Sequence, residues 1–145
     1  MGYRSEVHSI IYGDPETMDA LIAKEKLLGD QGIFKLFGEI QTYSMEGLSV
    51  TEFTRNRWVT MPDTNERQQV EVKFKLLSLY GSDWKWYDDF EDVKHWHKLL
   101  HQAEDMGLQY EHARIGEETD DMELETSGDA EYFLNISRTI DYDYG

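Results

Sequence analysis

The hydrophobic pattern along the chain changes period several times, and each change marks an element. Residues 4–12 (RSEVHSIIY) are rich in β-branched and aromatic side chains and stop at Gly13, which predicts a first strand. Asp14-Pro15-Glu16 then supplies an N-cap, a proline at the first helical position and an acid in the first turn. Met18, Leu21, Ile22, Glu25 and Leu28 follow at helical spacing on one largely apolar face, and Gly29 ends it. Residues 33–43 (IFKLFGEIQTY) form an apolar run too short for its period to separate a buried helix from a strand. Residues 48–61 lean to strand, 62–68 (PDTNERQ) read as a turn or loop, and 70–80 begin with the clean alternation of a strand.

From residue 82 to residue 107 the chain starts extended and becomes the most amphipathic helix of the sequence. Asp88 or Asp89 is the expected cap, Phe90, Val93, Trp96, Leu99, Leu100, Ala103 and Met106 the apolar face, and Gly107 the stop. Beyond it, residues 108–115, 122–126 and 132–140 read as three strands, the last two joined as a hairpin across Ser127-Gly128-Asp129. The pattern predicts an α+β fold: a largely antiparallel sheet of about five to six strands with two main helices on one face. A ferredoxin-like core with extensions fits this succession.

Length and composition narrow the class. The 145 residues suit one domain, residues 1–145. The chain has no cysteine, which removes disulfides, thiolate metal ligands and a thiol nucleophile. No apolar run reaches the roughly 20 residues of a membrane span, and the N-terminus carries no signal-peptide pattern, so the expectation is a soluble, cytoplasmic protein without membrane contact. Gly2 lacks the Ser or Thr that a myristoylation signal wants, because Glu6 stands there.

Charge changes the picture more. The formal net charge is -16, and it is unevenly placed: residues 1–82 hold twelve acids against nine Lys/Arg, residues 83–145 eighteen against five. Such a field repels nucleic acid and anionic membranes and attracts basic protein surfaces. Two strips carry it, Asp83, Asp88, Asp89, Glu91 and Asp92, then Glu117, Glu118, Asp120, Asp121, Glu123 and Glu125. With Met122 and Leu124 facing the core, strand alternation puts Asp121, Glu123 and Glu125 together on a solvated face. Solvation and helix-dipole complementation account for many of these acids singly.

Other candidate chemistry is sparse. His97 and His101 are four residues apart, with Glu104 two turns from His97, a weak pattern for a metal site that lacks the glutamate following the first histidine of metalloprotease helices. No metal or other cofactor is assigned. There is no phosphate loop, nucleophile elbow or dinucleotide fingerprint, and no catalytic residue is assigned. Whether the chain is an enzyme is left open by its residues, which weigh against it.

Three segments, Gly2-Tyr3-Arg4-Ser5-Glu6-Val7, Lys85-Trp86-Tyr87, and Arg114-Ile115-Gly116-Glu117-Glu118 followed by Asp120-Asp121, resemble a group of small, uncharacterised proteins encoded by tailed bacteriophages and prophages. The resemblance implies a viral setting inside a host cell and no activity. In that setting the charge suggests an accessory protein whose acidic strips bind a basic surface of a host protein, with mimicry of DNA phosphates against a DNA-binding or defence enzyme as the specific form. An alternative is a binder or sequestering protein for a nucleotide-type ligand, using Arg4, Trp84, Trp86, Tyr87 and Arg114; Arg4 and Arg114 could instead pair with carboxylates of neighbouring strands. A structural phage protein without activity is the third reading. Oligomeric state is not legible.

Overall fold

The computed structural model describes residues 3–40, 46–118, 120–131, 133–136 and 140–142, with backbone alone for 135, 136 and 140–142. Its centre is a five-stranded antiparallel sheet in the order β2-β3-β1-β4-β5, built from β1 (Ser5–Gly13), β2 (Gly47–Thr60), β3 (Arg67–Trp84), β4 (Gln109–Gly116) and β5 (Met122–Thr126). Helices α1 (Pro15–Leu27) and α3 (Glu91–Asp105) lie on one face. The short helix α2 (Ile33–Leu36) settles the ambiguity of the apolar run at 33–36; residues 41–43 of that run lie outside the described part. The first elements follow one another as β-α-β-β-α-β around the sheet order β2-β3-β1-β4, a succession compatible with the ferredoxin-like expectation.

Helix α1 forms as its sequence predicts. Asp14 accepts from the Thr17 backbone N–H at 3.1 Å, Pro15 opens the helix, and Met18, Leu21 and Ile22 are buried. Glu25, in the apolar stripe, is 1% exposed. Its carboxylate accepts from Ile33 N at 3.2 Å and meets His95 Nε2 of α3 at 2.7 Å, so one buried acid fixes the start of α2 and ties the two main helices together.

Helix α3 differs from expectation at its ends. Neither Asp88 nor Asp89 caps it: the N-cap is Phe90, without a side-chain cap bond, and Asp92 instead receives the Val93 N–H at 2.8 Å. Phe90 and Met106, expected on the buried face, are 39% and 37% exposed, because the sheet beneath α3 spans only the stretch from Val93 to Ala103.

Strand β1 is buried on both faces. Val7 and Ile11 join the helix-side core, while Ile10 and Tyr12 join a second core with Phe74, Leu76, Ala113, Ile115, Phe133 and Leu134. The sheet therefore has a covered far face, which the two-layer expectation left bare. One strand over 132–140, hairpinned to β5, is the expectation; of its described residues, Leu134–Ile136 form β6 instead, paired with β7 (Ile140–Tyr142) in a separate small sheet, and Phe133 and Leu134 cover the far face. Glu111, fully buried, explains the path: its carboxylate accepts from Tyr12 Oη at 2.6 Å and Leu134 N at 2.9 Å, so the chain after β5 is drawn across the far face. Among the described residues no helix is long and apolar enough to cross a membrane.

Candidate functional site

The register of β5 is the opposite of the expected one. Glu123 pairs with Arg114 and Glu125 with His112, so these acids point to the helix side, while Met122 and Leu124 face the other way and are 44% and 46% exposed. The physical reason lies in β4, whose helix-side residues Tyr110, His112 and Arg114 are all able to donate to carboxylates. Arg114 takes Asp121 with both terminal nitrogens, at 3.1 and 2.8 Å, and reaches Glu123 at 3.4 Å. Tyr110 donates to Glu125 at 3.0 Å, and burial, then this bond, pushes its phenol up to about 12. His112 Nε2 sits 3.6 Å from Glu123, too long for a full hydrogen bond. It is still the largest influence holding the Glu123 carboxyl down to about 2, with Arg114 adding to it. Three of the six acids of the second strip, Asp121, Glu123 and Glu125, are thus engaged by side chains of β4 while remaining partly exposed.

The three segments that carry the phage resemblance meet around Tyr3. Its N–H donates to Tyr87 Oη at 2.7 Å, its hydroxyl donates to Asp121 at 2.6 Å, and that hydroxyl accepts from Glu118 N at 3.0 Å. Arg4 N donates to Glu117 at 2.8 Å. Gly116 has a role here: a Cβ at this position would overlap both the Asp121 carboxylate and the Tyr3 hydroxyl. Arg114 and its partners hold the Asp121 carboxyl below its ordinary range, Arg114 first and Tyr3 next.

Beside this knot lies a cleft of about 340 Å³ lined by Arg4, Leu36, Phe37, Asp83, Trp84, Lys85, Trp86 and Asp92. Its wall is a set of near-parallel rings: Phe37 to Trp84 at 6.2 Å, Phe37 to Trp86 at 6.3 Å and Trp84 to Trp86 at 6.4 Å. Gly81 makes the wall possible. The pairing of β1 with β3 shifts register between Ser5–Trp84 and Val7–Gly81, and the Trp84 indole folds back over Gly81 where any Cβ would collide with it. Trp86 is 7% exposed, and its indole nitrogen has no hydrogen-bond partner among the described residues. Behind Trp86, His112 stacks at 5.7 Å and His97 meets its edge at 6.1 Å. Burial, then the neighbouring His112, lowers the His97 pKa.

Of the residues expected to bind a ligand, Arg4, Trp84 and Trp86 line the cleft together. Tyr87 and Arg114 do not: the Tyr87 hydroxyl accepts from Tyr3 N, and the Arg114 guanidinium is held by Asp121, Glu123 and Ser5. Phe37, Leu36 and Lys85 were missed, Phe37 because it belongs to the ambiguous apolar run. The histidine pattern does not converge either. His97 packs against Trp86 and His112, His101 approaches Glu125 at 3.7 Å, and Glu104 accepts from Gly128 N at 3.2 Å. Among the described residues no group of histidines and carboxylates is arranged to hold a metal ion. Of the first acidic strip, Asp83, Asp88, Asp89 and Glu91 are exposed, and Asp83 and Asp92 form the cleft rim. Comparison of the chain with protein-family models, with curated proteins and with solved structures gives no match.

Proposed function

We propose that this protein is a non-catalytic binder of a small anionic, ring-bearing molecule of nucleotide type, held in the cleft of Arg4, Trp84, Lys85 and Trp86. The observation that carries the reading is the meeting of Arg4 and Lys85 with three packed rings at one concavity, whose rim also carries Asp83 and Asp92. A ring of the ligand gains by packing on Trp84, and its phosphate or carboxylate by Arg4 and Lys85. The volume lies at the small end of the usual range for ligand sites, so the fit is to a mononucleotide-sized molecule or part of a larger one. In the phage setting, such a protein would act in the host cytoplasm by sequestering a signal nucleotide. Melting shifts of the purified protein against a panel of mono-, di- and cyclic nucleotides test this: a shift lost in Arg4→Ala and Trp84→Ala supports it, and no shift with any nucleotide rejects it.

A second reading has its own observation. Asp88, Asp89 and Glu91 surround Phe90, itself 39% exposed, so an acidic, partly apolar rim stands beside the cleft and suits a basic host protein. DNA mimicry is the sharper form of that reading, and the internal use of Asp121, Glu123 and Glu125 shortens the strip available for it. Binding to such a partner should weaken steeply with salt. If neither ligand nor partner is found, a structural phage role remains.

A further inference from the structure

We propose that the base held in the cleft is guanine, its N1–H and 2-amino group donated together to the Asp92 carboxylate. This rests on the reading of the cleft as a nucleotide site and names the residue that chooses the base. The lining carries charges of both signs, Arg4 and Lys85 beside Asp83 and Asp92. Among the described residues none of the four is in an ion pair; the Arg4 guanidinium donates instead to the Asp83 backbone carbonyl at 3.4 Å. A site for phosphate alone would be weakened by two acidic residues in its lining. A ligand that is anionic at one end and donates hydrogen bonds at the other makes use of both signs.

Of the two acids, Asp92 is the one held in place. It is half-buried where Asp83 is exposed, and its Oδ1 accepts the Val93 N–H at 2.8 Å, which orients the side chain at the start of α3. Its other oxygen has no hydrogen-bond partner among the described residues. A ring packed on Trp84 carries its polar groups in its own plane, so its edge meets the residues beside the aromatic wall, Asp92 among them. A carboxylate only accepts, so it favours an edge that only donates. Guanine presents two neighbouring donors, N1–H and the 2-amino group. Adenine and cytosine set an amino group beside a bare ring nitrogen, and uracil sets one N–H between two carbonyl oxygens, so each of these turns an acceptor toward the acid. Each carboxylate oxygen has two lone pairs, so Oδ1 keeps Val93 N and still takes one guanine donor.

Calorimetry of the full chain with GMP, AMP, CMP and UMP tests the choice of base, and Asp92→Asn tests its origin. GMP should bind at least about tenfold more tightly than the other three. The asparagine amide retains an acceptor for the Val93 N–H but offers one donor and one acceptor, the complement of the xanthine N1–H and 2-carbonyl. Asp92→Asn should therefore bind GMP about tenfold more weakly and prefer XMP to GMP, while Asp83→Asn keeps the preference for GMP. Equal binding of GMP and AMP by the wild-type chain, or an Asp92→Asn chain that still prefers GMP to XMP, overturns the assignment and leaves the nucleotide reading standing. Failure of every nucleotide to bind removes that reading and this assignment with it.

Discussion

The Tyr3 hydroxyl donates to Asp121 at 2.6 Å, joining residues 118 positions apart in the chain. The same hydroxyl receives Glu118 N, so one phenol closes the first strand's entrance against the turn before β5. Tyr3→Phe should therefore lower the melting temperature by a few degrees and lose part of its effect in an Asp121→Ala background, the bond from Glu118 N keeping the rest, read by a double-mutant cycle. Additive losses would show that the bond contributes nothing of its own.

Arg114 is the cation that sets the inverted register of β5. Arg114→Ala removes the fork that holds Asp121 and leaves Asp121 and Glu123 facing each other without it. A loss of about 2 kcal/mol in urea unfolding is expected, moderated by the partial exposure of the site. Arg114→Lys keeps the charge and loses the two-pronged geometry, so about half of that loss should remain.

Glu111 is the acceptor that holds the far-face segment. Glu111→Leu leaves the Tyr12 hydroxyl and the Leu134 N–H without it, at a cost of about 3 kcal/mol, while Glu111→Gln keeps an acceptor and should cost less than about 1 kcal/mol. Hydrogen exchange at Leu134 reads the local effect: faster exchange in the leucine variant alone is the expected pattern.

His8 gives the fold a pH dependence of defined sign. Burial lowers its pKa from 6.5 to about 4, so the unfolded chain takes up a proton over a range where the folded one does not. Stability is full above pH 6.5 and falls on acidification toward pH 4. Between about pH 7.5 and about pH 5 the loss from this group is about 2 kcal/mol, and His8→Gln should remove that part of the slope. The Glu123 and Asp121 carboxyls, held low by His112 and Arg114, supply their stability in full above their unfolded values, and acidification below those values removes it.

Gly81 positions the cleft wall without touching a ligand. Gly81→Ala displaces the Trp84 indole, so nucleotide-type binding should weaken about tenfold or more, with a shift in tryptophan fluorescence and a largely unchanged far-ultraviolet spectrum. Unchanged binding would place the ligand away from Trp84.

The local sequence determined α1, α3, the strands of the main sheet, and the α+β class, because capping residues, glycine stops and hydrophobic period act within a few residues of one another. Arg4, Trp84 and Trp86 were legible as candidates because cations and aromatics are unusual beside so many acids. What the tertiary structure decided were the choices between surfaces of equal local merit. Met122 and Leu124 read as core from alternation alone, yet Tyr110, His112 and Arg114 on the neighbouring strand draw the acids to the helix side and leave both apolar residues exposed on the other. The cleft depends on Phe37 and Trp84, 47 positions apart, being placed 6.2 Å from each other by α2 and the fold-back at Gly81. The far-face cover depends on Glu111 meeting Leu134 across 23 positions. Each of these is a long-range pairing of side chains, and no short-range pattern encodes which of two faces a distant partner will occupy.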